Sequence, residues 1–591
     1  MGINRTFDIL NRYKEFFSEK EDALCFKKNG AWIKFSSQEY IDHSYNFCYG
    51  LYESGFRRGD RIITISSNRP EWNFADMGMA MAGIVHVPVF TSLSNQEYQY
   101  IIEHSGAKMI IVSDARLWKN LDQVVTSAGM DVRIITFDNV EGAVNWLEIV
   151  AKGVRCNDQT REAVEREKNR IAEEDFATLI YTSGTTGRPK GVMLSHGNLV
   201  SNFISAAGVF NLKPSDKYLS ILPLCHVGGR LGNYQTQYSG SSIYYAENMG
   251  TIAANIQEIS PDGFDAVPRI LEKFYDVIMS KGKNLKGIKK FLFFRAVDLG
   301  HKYKPFGENG WFYGKRLEIA DKLIFSKWRQ ALGGNVRLVG CGGASLNPRI
   351  EKVFWAAGIK IINMYGLTET SPIITINRTE KGKAKLGSVG MTIEGVEVKI
   401  AGDGEILCKG PNVMIGYYND PVLTREAFDE DGWFHTGDLG HIEDGRFLMV
   451  TDRKKEIFKL SNGKFIAPQI IENIFKESPV IDQIMVIGER EKFASALISP
   501  NFKYFEDWKS SKKISFSNYE ELIMLPLIQS LFSAEVGKFN KRLNPAERIN
   551  RFRLVKDEWS PVSGELSPTL KLRRHFIHEK YRSLVDQVYM K

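Results

Sequence analysis

The chain has 591 residues, 43% of them hydrophobic and 25% charged, with 78 Lys and Arg against 70 Asp and Glu for a net charge of +8. So long a chain exceeds one compact core, so two or more domains are expected, and the composition excludes a disordered or fibrous protein. The six cysteines (Cys25, Cys48, Cys156, Cys225, Cys341, Cys408) are far apart and have no metal-ligand spacing, which fits a reduced cytosol.

At the N-terminus, Met1-Gly2-Ile3-Asn4-Arg5-Thr6 matches an N-myristoylation pattern, but a pattern that is half wildcards carries little weight. No basic-then-apolar leader is visible, and the longest apolar stretch, near Met77 to Phe90, is too short and interrupted to span a bilayer. Arg61 to Ile65, Val85 to Phe90, Lys108 to Val112 and Val132 to Thr136 read as strands separated by helices, the pattern of a layered α/β sheet.

The run Tyr181-Thr182-Ser183-Gly184-Thr185-Thr186-Gly187-Arg188-Pro189-Lys190-Gly191 is the strongest signal. Its glycines let backbone N–H groups approach an anion, and its hydroxyls and one lysine supply further donors: a phosphate cradle. A P-loop does not fit, because Lys190 follows Pro189, no Ser or Thr comes next, and proline drives Arg188 from helical angles. A flexible Gly/Ser linker would lack this ordered Lys and Pro punctuation. Ala177 to Ile180 before the loop and Val192 to Ser195 after it read as strands.

His226 sits among apolar residues in Leu222-Pro223-Leu224-Cys225-His226-Val227, where a hydrogen-bonded core histidine is the plain alternative to a functional one. From Lys281 to Arg329 there are thirteen Lys or Arg and four Asp or Glu, a net +9, interleaved with Phe291, Phe293, Trp311, Phe312 and Trp328. This basic amphipathic stretch suits an anionic ligand or membrane surface, or a solvated helical face packed on the core; without a recognised module, nucleic acid is not expected. Asn335 to Val339 reads as strand, Pro348 to Ala357 as a helix stopped by Gly358, and Ile359 to Asn363 as strand.

After that strand comes Met364-Tyr365-Gly366-Leu367-Thr368-Glu369-Thr370, in which a tyrosine ring can stack on a purine and Glu369 can hold magnesium through oxygen. Asp438 offers an acceptor for vicinal hydroxyls and Arg453 a guanidinium fork. The chain changes character at Asp452-Arg453, from β-rich pieces with Gly turns to a small α+β unit: a hairpin to Phe465, a helix from about Pro468, strands at Ile484 to Ile487 and Ala494 to Ser499, and a mostly helical tail.

The phosphate loop, with the 364–370 motif at its spacing, resembles the AMP-forming adenylating superfamily of acyl-CoA synthetases, peptide-synthetase adenylation domains and luciferases, from about Phe35 to Lys580. Val267-Pro268-Arg269-Ile270-Leu271-Glu272-Lys273-Phe274 resembles the long-chain fatty acid synthetase branch, as does the basic insertion that follows. The resemblance implies a large multi-sheet α/β domain with a β-rich subdomain (1–452) and a small mobile α+β domain (453–591). It implies ATP contacts from Thr182, Ser183, Gly184, Thr185, Thr186, Gly187, Lys190, Gly342, Gly343, Ala344, Tyr365, Gly366, Thr368, Asp438 and Arg453, with Mg2+ at Thr185 and Glu369.

Pro568-Thr569-Leu570-Lys571-Leu572-Arg573-Arg574 resembles the C-terminal catalytic-lysine motif. With Lys571, the implied catalytic residues are Glu369, Lys190 and His226, the last beside the acyl carboxylate. Lys455 matches the hinge, and Gly463 a loop at the thiol tunnel. Where long-chain synthetases commonly continue after this histidine with an aromatic and a Glu-Arg pair, Gly228-Gly229-Arg230 stands here, removing bulk at the mouth of the presumed acyl pocket.

The reaction implied is attack of a long-chain fatty acid carboxylate on Mg-ATP to give acyl-AMP, then transfer to CoA. A ligase delivering acyl groups to a carrier protein, and a non-catalytic acyl-binding protein, are the alternatives. A cytoplasmic location is expected, with peripheral membrane contact through 281–329.

Overall fold

The computed structural model describes residues 2–182, 189–512, 514–567 and 570–590. Short runs rich in β-branched residues become parallel neighbours: Arg61–Ile65 lies between Val85–Val89 and Met109–Val112, and Arg133–Thr136 extends the sheet. Side chains alternate between two cores. Ile63, Ile65, Ile110 and Val112 enter one, while Ile62, Met109 and Ile111 enter the other, as parallel strands covered on both faces require. The helices between strands are started locally: Ser94 accepts from Glu97 N–H, Asp114 accepts from Leu117 N–H, and Gly106 at φ +60° ends the first of the two.

Phe176–Thr182 adds parallel to Val85–Val89, Lys190–Ser195 pairs antiparallel with it, and Gly416–Tyr417 forms the edge, completing eight strands. A nine-stranded sheet includes the parallel set Ser242–Tyr245, Lys217–Ser220, Gly263–Ala266, Leu338–Cys341 and Lys360–Gly366.

Two strand bounds differ from the sequence reading. The strand expected at Asn335 to Val339 begins at Leu338 because its partner begins at Gly263, and Gly333 and Gly334, at φ +81° and +88°, turn the chain just before it. The strand expected to end at Asn363 runs on to Gly366, because Met364 to Gly366 gain an antiparallel partner in Ile373–Ile376.

Between Gly263–Ala266 and Leu338–Cys341 the chain makes a helical excursion through Pro268–Lys283, Gly287–His301 and Trp311–Ala320, the last continuing through a π-turn at Asp321–Phe325 into Ser326–Ala331. Phe293, Ala296, Val297, Phe325 and Trp328 pack there with Val353. Among the described residues no helix is long and apolar enough to cross a membrane.

The backbone forms two compact units: Met1–Val398 with Leu407–His435, and Lys399–Ile406 with Thr436–Lys591. The boundary expected at Asp452-Arg453 falls inside the second, at the end of strand Phe447–Arg453. In this unit Ile481–Ile487 pairs antiparallel with Ser495–Pro500, which pairs parallel with Arg551–Leu554, a strand the helical-tail expectation missed. Ile484, Val486, Ala496 and Ile498 fill one core, and Met485, Ile487 and Leu497 the other.

Candidate active site

Ser183, Gly184, Thr185, Thr186 and Gly187 lie outside the described residues; the strands that present them do not. Thr182 is opposite Lys190 and Tyr181 opposite Gly191, so the two flanking strands end as antiparallel neighbours. The hydroxyl of Tyr181 lies 2.8 Å from His104 Nδ1, fixing the base of that pair.

The edge strand brings three distant residues together. Tyr417 pairs with Val192, and Tyr418 N–H donates to Gly191 O at 2.8 Å. The Tyr417 ring therefore stands beside Lys190, whose Nζ is 5.3 Å from the ring centroid, and its hydroxyl donates to Glu369 Oε1 at 2.8 Å. Burial first, then the Glu369 carboxylate, push the Tyr417 phenol well above its ordinary pKa, so it remains a proton donor to Glu369. Glu369 is also tied by its backbone, its carbonyl accepting from Met414 N–H at 2.8 Å.

The turn holding Glu369 is clamped from two sides. Asn202 Nδ2 donates to Thr370 O and Ile373 O at 3.2 and 2.9 Å, and Asn412 Nδ2 donates to the same two oxygens at 3.2 and 3.0 Å. Both asparagines are fully buried. Gly366 has no alternative, since a Cβ there would lie 1.7 Å from Pro372 O. Thr368 opens the short 3-10 turn Thr368–Thr370. Gly342, Gly343 and Ala344 leave the carboxyl end of strand Leu338–Cys341, beside Met364 of the neighbouring strand, with Gly343 at φ +84°. Tyr365 and this glycine segment thus share the carboxyl edge of the sheet, where open α/β sheets bind ligands.

His226 is the N-cap of helix Val227–Ser239, its Nδ1 accepting from Gly228 N–H at 3.1 Å. That bond puts the proton of the neutral ring on Nε2. Gly229 is required for packing: a Cβ would sit 2.2 Å from Pro223 O, so the open-mouth expectation for this glycine gives way to close backbone approach. Arg230 is buried with Asp76, its Nη2 2.5 Å from Oδ1, while Tyr234 OH donates to Oδ2 at 2.5 Å and His86 Nδ1 lies 2.7 Å from Oδ1. Burial alone would raise the Asp76 pKa, but Arg230, His86 and Tyr234 together hold it below the usual carboxylate value.

In the second unit, Asp438 and Arg453 are cross-strand partners, with Arg453 Nε 3.3 Å from Asp438 Oδ1. Lys455 is exposed in the turn after Arg453, and Gly463, at φ +87°, sits in the turn between Phe458–Lys459 and Phe465–Ile466. Lys571 lies in a loop narrowed by its own backbone: Ser567 N–H donates to Lys571 O at 2.8 Å, and Lys571 N–H to Ser567 Oγ at 3.1 Å. Three residues on, the half-buried Arg574 is gripped by Glu472 at 2.7 Å through both Nη atoms and by Glu456 at 2.8 Å through Nε.

Residues 14–418 match the family model described as AMP-binding enzyme. The chain is an AMP-binding enzyme. The family's C-terminal domain, described as AMP-binding enzyme C-terminal domain, matches residues 455–591.

Relatives of this AMP-binding enzyme include the long-chain-fatty-acid–CoA ligase FadD15 of Mycobacterium bovis, 31% identical over 95% of this chain and 93% of the relative. The human long-chain-fatty-acid–CoA ligase 1 is 30% identical over 92% of this chain and 80% of its own. The fold is that of the adenylation domain of a carboxylate reductase from Mycobacterium chelonae, with a TM-score of 0.74, 21% identity and 99% and 91% of the two chains covered. An anthranilate CoA ligase in complex with anthranoyl-AMP has a TM-score of 0.73 at 18% identity, covering 98% of each chain.

Among the described residues no cluster of three or more His, Cys, Asp or Glu could hold a metal by itself. The Glu369 carboxylate is an oxygen donor of the kind that holds Mg2+ together with phosphate oxygens, the usual way Mg2+ binds with nucleotides. Sequence reasoning missed Tyr417, Asn202 and Asn412. A signal for Tyr417 was present in Gly416-Tyr417-Tyr418-Asn419, an aromatic pair at a turn, but nothing local ties it to Glu369.

Proposed function

We propose that this AMP-binding enzyme activates a long-chain fatty acid with ATP and transfers the acyl group to CoA. The observation that carries the reading is the Lys190–Tyr417–Glu369 constellation beside the strand ends that flank the proposed phosphate loop, in a chain whose relatives are named long-chain-fatty-acid–CoA ligases over more than nine-tenths of its length.

In the first half-reaction a carboxylate oxygen of the acid bonds to the α-phosphorus, the bond to the β-phosphate bridge breaks, and pyrophosphate leaves. The residues work by positioning and charge neutralisation. Lys190 and the donors of Thr182 to Gly187 hold the phosphates. Tyr365 stacks on adenine beside Gly342, Gly343 and Ala344, with Gly366 and Thr368 completing the pocket, and Asp438, oriented by Arg453, takes the ribose hydroxyls. Glu369 and Thr185 would hold Mg2+, which supplies countercharge for the triphosphate when bound. His226 presents Nε2–H to the acyl carboxylate, and the Lys571 ammonium stabilises charge developing between carboxylate and α-phosphate.

In the second half-reaction the CoA sulfur bonds to the acyl carbon and AMP leaves. Rotation of the 453–591 domain about Lys455 withdraws Lys571 and brings the Gly463 turn to the thiol. The enzyme is cytoplasmic in this reading, with the basic 281–329 segment meeting a membrane surface.

The test is incubation with Mg-ATP and fatty acids of graded length, with and without CoA, following AMP and acyl-CoA by mass spectrometry. Acyl-CoA formed best from long chains is expected. Acyl-AMP that CoA cannot discharge would move the assignment to a carrier-dependent ligase, and no AMP with any acid would overturn the catalytic reading.

A further inference from the structure

One face of the nine-stranded sheet buries a carboxylate. In strand Gly263–Ala266, Phe264 and Ala266 enter the core on one side together with Val339 and Cys341 of the next strand. Asp265 therefore points to the other side, where Tyr218 and Ile362 lie and helix Val227–Ser239 covers the sheet. Two glycines make the room for it. Gly340 is the cross-strand partner of Asp265, and a Cβ there would stand 2.1 Å from Asp265 Oδ1. A Cβ at Gly232 of the helix would stand 2.2 Å from Oδ2.

Asp265 is 2% exposed, and its two oxygens differ. Oδ2 accepts from the Tyr218 hydroxyl at 2.8 Å, whereas Oδ1 has no hydrogen-bond partner. Burial pushes the carboxyl up to about 6 from 3.8 against the pull of Tyr218, which leaves an ionised acceptor at neutral pH. One helical turn after Gly232, on the same face, Gln235 is 1% exposed, and neither its amide nitrogen nor its amide oxygen has a partner. Orphaned buried groups are rare because each has given up its bonds to water, and two residues bearing them in one layer point to an occupant that completes them. The side chains nearest the free oxygen are able to yield: the tips of Met364 and Phe210 each come within 2.9 Å of the place a Gly340 Cβ would take.

We propose that Asp265 and Gln235 select a fatty acid that carries a hydroxyl group in the middle of its chain. The hydroxyl has one proton to give and lone pairs to receive with, so it donates to Asp265 Oδ1 and accepts from Gln235 Nε2. An ammonium group would also meet the carboxylate, but its charge would first have to be stripped of water. The helix sets the position. His226, which meets the acyl carboxylate in the proposed function, is the N-cap of Val227–Ser239, and Gly232 lies about 9 Å further along the helix axis. Gly340 and Asp265 stand near the carboxyl ends of their strands, below the exit through Gly342. A chain leaving His226 along this helix brings its middle, rather than its first carbons, over Asp265. The inference rests on the acyl-activating reading and narrows its substrate from a long-chain acid to a hydroxylated one.

The experiment measures kcat/KM of the full chain with Mg-ATP, CoA and a matched set of long-chain acids: unsubstituted, hydroxylated beside the carboxylate, at mid-chain or at the far end, and aminated at mid-chain. The mid-chain hydroxyl is expected to raise kcat/KM about tenfold or more over the unsubstituted acid. Asp265→Leu/Tyr218→Phe removes both partners of the existing bond and strands neither, so the fold is kept and the ratio is expected to fall to about one. Gln235→Leu is a second variant expected to lower it. A ratio near one in the wild type would mean that buried water completes these groups, and overturns the proposal. So does a preference that survives both variants, or one for the amine. If no acid yields acyl-AMP, the functional reading fails and calorimetric titration of the same acids without ATP decides this one. Tighter binding of the mid-chain hydroxy acid, lost in the variants, upholds it; equal affinities overturn it.

Discussion

The phenol of Tyr417 donates to Glu369 at 2.8 Å while its ring stands 5.3 Å from the Lys190 ammonium, so one side chain touches both charged members of the proposed phosphate end of the site. The tyrosine is thus the shared neighbour of both charges.

Tyr417→Phe keeps the ring and removes only the donor. A hydrogen bond to a charged acceptor is worth about 1.5–3 kcal/mol, so kcat/KM for Mg-ATP in the adenylation half-reaction is expected to fall by roughly ten- to a hundredfold. Pyrophosphate exchange measured against Mg2+ concentration checks this: the deficit should be largest at limiting Mg2+, and no change would mean that Glu369 needs no orientation.

Gly366→Ala forces a Cβ into Pro372 O, 1.7 Å away, and the turn must shift. The expected cost is about 1–3 kcal/mol of stability, with a raised KM for ATP as Tyr365 moves. Thermal melting and ATP titration of the same variant measure both.

A third expectation concerns pH. Burial pushes the Glu351 carboxyl up to about 8 from 4.5, although Gly387 N–H, donating at 2.7 Å, pulls the other way. The folded chain therefore holds a proton between about 4.5 and 8 that the unfolded chain releases, so this group's contribution to stability declines as pH rises through that window. Glu351→Gln should flatten that decline. Melting temperatures of both proteins across the window give the difference; parallel curves would refute it.

Arg574→Ala would leave Glu472 buried without its cation, and Glu456 half-buried beside it. Removing one partner of a buried pair costs about 3–5 kcal/mol, so a marked loss of melting temperature is expected. Lys571→Ala, three residues earlier, keeps that ion-pair network and is expected to abolish acyl-AMP formation. Calorimetry paired with pyrophosphate exchange separates the two effects.

The segments of the candidate site were legible because each is local: the hydroxyl-rich run with Lys190, the Tyr365-Gly366 turn, and the Gly-rich exit after Cys341 stand out in consecutive residues. What escaped was long-range. Arg551–Leu554 alternates arginine with apolar residues and becomes a strand only because Ser495–Pro500 offers its edge. Asn202 and Asn412 look like surface polar residues until folding places both amides on the same two carbonyls. The 281–329 segment read as amphipathic, whereas Gly287–His301 is apolar on two sides, a property that periodicity counts do not separate from a buried helix.

Arg574 joins Glu456, the residue after Lys455, to the loop bearing Lys571. In the proposed cycle the ammonium group is then a rider on a stiff crank whose pivot is next door. The guanidinium and two carboxylates would make it turn together with the residues beside the pivot rather than lag behind them.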